Sequence, residues 1–170
     1  MLPARFAVAF IVLLAVFSTV IVEAQSAAGT GSVELTIAGR QIPGELTNST
    51  LYPDNTVTMS MIVDYSAQTN IGQVTITATG NWYGRSNGTS LAGIIYSVKG
   101  TVQICYVFYC PAASYVGYGT WNGALTSNRT QAAGTFEGTL IFTNSQIQNV
   151  TLHRPITISG TWNSTLQTSS

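Results

Sequence analysis

The strongest constraint on this chain is a two-residue period that returns along most of its length. Val57, Met59, Met61, Val63 and Tyr65 alternate with Thr58, Ser60, Ile62 and Asp64. Val74, Ile76, Ala78 and Gly80 alternate with Thr75, Thr77 and Thr79, and Trp82 closes that row. Val102, Ile104, Tyr106 and Phe108 form a third row, Phe136, Gly138, Leu140 and Phe142 a fourth, and Ile156, Ile158, Gly160 and Trp162 a fifth. Successive side chains of an extended chain point to opposite faces, so rows of this kind are strands with one face in a core and the other in water. Shorter candidate strands cover 33–37, 91–98, 115–121 and 147–152. Few strong helix formers accompany 16 glycines, which leaves little room for a long helix.

Turn residues punctuate the rows at Pro43-Gly44, Pro53-Asp54-Asn55, Ser86-Asn87-Gly88, Lys99-Gly100 and Asn122-Gly123. The expected fold is all-β: an immunoglobulin-like β-sandwich of about eight strands, with a small closed barrel as the second choice. A faint echo runs through it. Gly80-Asn81-Trp82, Gly119-Thr120-Trp121-Asn122 and Gly160-Thr161-Trp162-Asn163 contain all three tryptophans. The echo is either an aromatic row at one rim, suited to stacking on a sugar, or three indoles closing the core; the second is favoured because indoles seldom stay exposed.

The first 24 residues form a separate object. Arg5 precedes an apolar run from Phe6 to Phe17, continued by Val20, Ile21 and Val22, and Val22-Glu23-Ala24 offers small residues before Gln25. This is the layout of a secretory signal peptide cleaved after Ala24; a retained membrane anchor is the other reading. The expected organisation is a signal peptide over 1–24, a mature N-terminal segment over 25–37 and one β-domain over 38–170. Only 7% of the chain is charged, with six basic and six acidic residues and a formal net charge of zero. That excludes a basic nucleic-acid binder and a polybasic membrane-surface protein. Contact with a membrane is expected only through the signal peptide during export.

Export explains what wets so uncharged a surface. Ser and Thr number 40, and five Asn-x-Ser/Thr sequons occur, at Asn48, Asn87, Asn128, Asn149 and Asn163. N-linked glycans at such sites need exposed asparagines and solubilise the surface around them. Few carboxylates also means little charge repulsion on acidification, which suits a harsh extracellular setting. Cys105 and Cys110 pair in an oxidising compartment. A straight strand would hold them too far apart, so residues 106–109 must turn if the pair closes internally; a free or intermolecular pair is the alternative.

No catalytic, metal or cofactor constellation emerges. His153 is the only histidine and precedes Arg154-Pro155, which reads as a turn. The carboxylate pairs Asp54/Asp64 and Glu34/Glu137 have no spacing that demands proximity. Trp82, Tyr83, Tyr115, Tyr118 and Trp121 make a weak case for carbohydrate binding. The 33–37 strand, with Val33, Leu35 and Ile37 on one face, can cover its own sheet or complete a neighbour's.

In its signal segment, early strand, β pattern and sequons the chain resembles subunits of archaeal surface filaments assembled by donor-strand exchange. That resemblance implies a glycosylated, extracellular homopolymer built head to tail, with Val33, Leu35 and Ile37 as donor residues. The competing expectation is a secreted non-enzymatic binding module for carbohydrate or cell-surface ligands.

Overall fold

A computed structural model describes residues 29–37, 40–70, 72–148 and 150–169. The signal segment over 1–24 and the start of the mature segment lie outside the described residues. The described chain is all-β, with no helix. It comprises β1 (Gly31–Ile37), β2 (Arg40–Leu51), β3 (Thr56–Thr69), β4 (Gly72–Asn87), β5 (Ser90–Cys105), β6 (Ala112–Leu125), β7 (Gln131–Ser145), β8 (Pro155–Thr165) and the short β9 (Gln167–Thr168).

The first eight strands form an up-and-down antiparallel ring in which each pairs with the next. Strand β1 closes it. Val33 lies opposite Gly44 of β2 on one side and Trp162 of β8 on the other. The sandwich expected from sequence is therefore corrected to a closed barrel, the second choice. Alternation is identical in both architectures, since each turns one face of every strand inward. What separates them is whether the first strand bonds along both edges. β9 adds a parallel pairing outside the ring, along β2.

Further expectations change. Lys99-Gly100 and Asn122-Gly123 are not turns; they lie inside β5 and β6. Pro43-Gly44 lies inside β2, at a point where β2 pairs with β1 but has not yet begun to pair with β3. A proline, with no N–H to give, is tolerated on such a half-paired stretch. Of the candidate strand at 147–152, residues 147–148 and 150–152 lie in no strand.

An eight-stranded ring is just wide enough for side chains to fill. The filling here is built on alternate strands. Trp82 of β4, Trp121 of β6 and Trp162 of β8 are all buried. Their ring centroids lie 5.9, 6.0 and 5.4 Å apart pairwise, and Phe136 packs edge-on against Trp82 at 5.4 Å. The forty-residue echo is thus a two-strand repeat seen in sequence, and it serves the core, not a sugar platform.

Glycines make space for these rings. Gly84 and Gly93 face each other across β4 and β5, and a Cβ at either would fall within 2.6 Å of the Trp121 ring. Gly123 and Gly134 face each other across β6 and β7, and a Cβ on Gly123 would sit 2.6 Å from Trp162. The indole N–H groups of Trp121 and Trp162 donate to the carbonyls of Ile94 and Asn122 at 3.2 and 3.1 Å. Within the barrel lies a cavity of about 20 Å³ lined almost wholly by apolar side chains such as Leu35, Ile76 and Leu140. It lacks the polar partners a water needs and has no room for a larger ligand.

Lower in the barrel, Tyr115 is buried and its hydroxyl donates to the Thr77 carbonyl at 2.8 Å. Burial pushes its phenol from 10.0 up to about 12. The unfolded chain would ionise near the ordinary value, so this stability is intact below about pH 10 and lost as pH rises through about 12. The window corresponds to about 2–3 kcal/mol. Tyr115→Phe is expected to flatten most of that alkaline decline, while costing about 1 kcal/mol at neutral pH through the lost hydrogen bond. Urea unfolding across the alkaline range reads both effects. Tyr65, also raised by burial, accounts for a smaller remainder.

Candidate functional site

The two ends of the barrel differ in chemistry. The lower end carries the β1–β2, β3–β4, β5–β6 and β7–β8 connections. The upper end carries the β2–β3, β4–β5 and β6–β7 turns and both ends of the described chain.

At the lower end the β5–β6 connection is a disulfide-pinned hairpin. Cys105 and Cys110 are bonded to each other, with Cα atoms 4.0 Å apart. As sequence spacing required, residues 106–109 turn: the Tyr106 N–H donates to the Tyr109 carbonyl at 2.8 Å, and Ile104 N–H to the Pro111 carbonyl at 3.0 Å. The expected strand row therefore stops at Cys105 and does not reach Phe108. Pairing with β4 ends at Cys105 and pairing with β6 at Gln103, so the hairpin has no strand beside it. Its four residues are apolar or aromatic and open to solvent: Tyr106 44%, Val107 87%, Phe108 99% and Tyr109 60% exposed. Sequence reasoning placed the bend but missed this exposure. The available signal was four consecutive large apolar residues between two cysteines in a chain otherwise wetted by Ser and Thr.

The neighbouring β7–β8 connection holds exposed Leu152, His153 and Arg154. His153 has φ 60° and its N–H donates to the Phe142 carbonyl at 2.9 Å, so it sits in a turn as expected. Arg40 begins β2 at the same end. Among the described residues, no Asp or Glu lies in the lower connections; Glu34, three residues before the end of β1, is the nearest along that strand.

No protein-family model, curated protein or solved structure matches the chain.

The upper end gathers sequons. Asn48 is near the end of β2, Asn87 ends β4, Asn128 is in the β6–β7 turn and Asn163 is near the end of β8, all exposed. Asn128 is fixed by its own sequon: its Oδ1 accepts from the Thr130 hydroxyl at 2.8 Å and from the Thr130 N–H at 3.3 Å. Asn163 donates from Nδ2 to the Ser32 hydroxyl on β1 at 2.8 Å. Asn149 lies outside the described residues. Arg129, between Asn128 and Thr130, reaches Asn55 at 2.7 Å and Ser86 at 3.0 Å, tying the β6–β7 turn to elements that are not its ring neighbours. Asp54 accepts from the Thr56 N–H at 3.0 Å and the Thr56 hydroxyl at 2.9 Å, and these bonds hold its carboxyl below the ordinary range.

The other sequence candidates disperse. Of the carbohydrate set, Trp82, Trp121 and Tyr115 are buried, and only Tyr83 and Tyr118 are exposed, at 41% and 61%. Asp54 is in the β2–β3 turn while Asp64 is well along β3, and Glu34 and Glu137 are on strands separated by β8. No cluster of three metal-binding side chains occurs among the described residues. The donor residues Val33 and Leu35 are buried in the chain's own barrel, and Ile37 packs against its core.

Proposed function

We propose that the protein is an exported, non-enzymatic binding module whose contact element is the disulfide-pinned hairpin at the lower end. One observation carries this reading: Phe108, at the apex, is 99% exposed although the barrel buries nearly every other large ring or covers part of it. A fixed turn that presents four large apolar side chains is suited to contact with something outside the molecule. Glycans at the upper-end sequons would wet the opposite end without obstructing it. The outward positions of β3 and β4 include Thr58, Ser60, Thr75, Thr77 and Thr79, a hydroxyl-bearing wall interrupted by exposed Ile62 and Tyr83.

The test is made on the native exported protein. Intact mass should read cleavage after Ala24, one disulfide and added glycan mass, and labelled protein should bind its source cells in a manner lost on Phe108→Ser. Unprocessed intracellular chain, or binding indifferent to that substitution, sinks the reading.

The filament reading keeps one favourable observation: β1 is the first strand, and its slot between β2 and β8 would fit a neighbour's β1 in the same register. Only two residues join Ile37 to Arg40. A donated β1 would therefore bring lower end against lower end, an arrangement that closes into a pair more readily than it extends into a thread. Negative-stain microscopy of native material decides: threads support exchange, and monomers or closed pairs oppose it.

A further inference from the structure

We propose that the 106–109 hairpin is a lipid-docking tip, with Val107 and Phe108 entering the acyl boundary of a membrane surface and Tyr106 and Tyr109 resting at headgroup depth. This rests on the reading of the hairpin as the contact element and names what it contacts.

Three observations select a lipid surface over a protein partner. The first is shape. The hairpin is a convex apex beyond the last paired residues of β4 and β6. A protein partner would need a pocket cut to fit it, whereas a bilayer admits an apolar apex of any outline. The second is the order of side chains. The two residues most open to solvent, Val107 and Phe108, are purely apolar, and each is flanked by a tyrosine that is less exposed. Rings with a polar tip concentrate at membrane–water interfaces, directly outside a hydrocarbon-facing stretch. The third is charge. Arg154, in the same β7–β8 connection as exposed Leu152, shares this end, and no Asp or Glu occurs among the described residues of the lower connections. A guanidinium at the same end as an apolar tip complements anionic headgroups. Exposed Leu152 widens the apolar footprint. The Cys105–Cys110 bond holds the turn in shape before contact, so little ordering is left to be done on docking. A single tip of this size gives weak, reversible attachment, in keeping with a peripheral rather than a spanning protein.

The experiment uses the full exported chain and its N149Q variant, which lacks the sequon acceptor that falls between β7 and β8 in sequence. Each is mixed with phosphatidylcholine vesicles, with and without phosphatidylglycerol, and partitioning is read by flotation. Binding of either form is expected, stronger on the anionic vesicles. The V107S/F108S double variant should lose roughly tenfold or more of that partitioning, and R154E should lose the preference for anionic vesicles while keeping the residual binding. Both variants alter exposed positions, and matching melting curves establish that they fold. No partitioning by either form, or partitioning untouched by V107S/F108S, overturns the proposal. So does sedimentation showing that the tip serves only to pair two copies. Tip-dependent binding to source cells without binding to any vesicle would remove the lipid assignment and leave the binding-module reading intact.

Discussion

A chain that begins at Ile37 is expected to lose its barrel. The deletion removes buried Val33 and Leu35 and strips β2 and β8 of their shared partner. Burial of two such side chains is worth roughly 3–6 kcal/mol, against a typical whole-domain stability of about 5–15 kcal/mol. The lost ladder bonds add to that, and two open edges invite association. Circular dichroism should show a loss of cooperative unfolding, and sedimentation should show aggregates. A synthetic peptide of residues 29–37, added in excess, should fill the slot and restore a cooperative melt. A shortened chain that stays monomeric and melts like the parent would mean that β1 does not close the ring.

The second large effect is expected at a glycine. Gly93→Val should destabilise the protein by about 3 kcal/mol, at the upper end of what overpacking costs. A Cβ there meets the Trp121 ring and the Gly84 Cα, both at 2.6 Å. The indole cannot retreat, because Trp82 and Trp162 stand behind it. The backbone of β4 cannot retreat without breaking its ladder. Ala92→Val, one residue earlier and facing outward, is the control and should change stability by less than about 0.5 kcal/mol. Urea unfolding of the two variants beside the parent makes the comparison. Equal melts would place the indole elsewhere.

The same glycines show why part of the fold was legible in sequence and part was not. Period-two rows located β3, β4, β7 and β8 because burial on one face writes itself into side-chain choice. They could not say whether β1 would bond along one edge or two, and that choice separates a sandwich from a barrel. Gly100 and Gly123 looked like turn residues beside Lys99 and Asn122. Each in fact leaves room for a ring, Tyr115 in one case and Trp162 in the other. A glycine that serves a turn and a glycine that yields to a neighbouring ring are the same letter. β2 was missed because Pro43-Gly44 imitates a break. The tip was legible in its bend, which the short Cys105–Cys110 spacing demands, but not in its exposure. Alternation continues through Tyr106 and Phe108 as though the strand did too, and only the ending of the ladders on both sides reveals that no strand flanks them.

The tryptophan triangle has an optical consequence. All three indoles sit in the upper half of the barrel, within 6.0 Å of one another. Intrinsic fluorescence therefore reports a single neighbourhood and is blind to loosening around the hairpin. Tyr115 and the disulfide absorb in the near ultraviolet and belong to the lower half. A melt followed by indole emission and again by the part of the near-ultraviolet dichroism that Tyr115→Phe removes thus compares the two halves of one molecule. Coincident curves would show that the ring opens as a unit, and an earlier tyrosine transition would show that it opens from the tip.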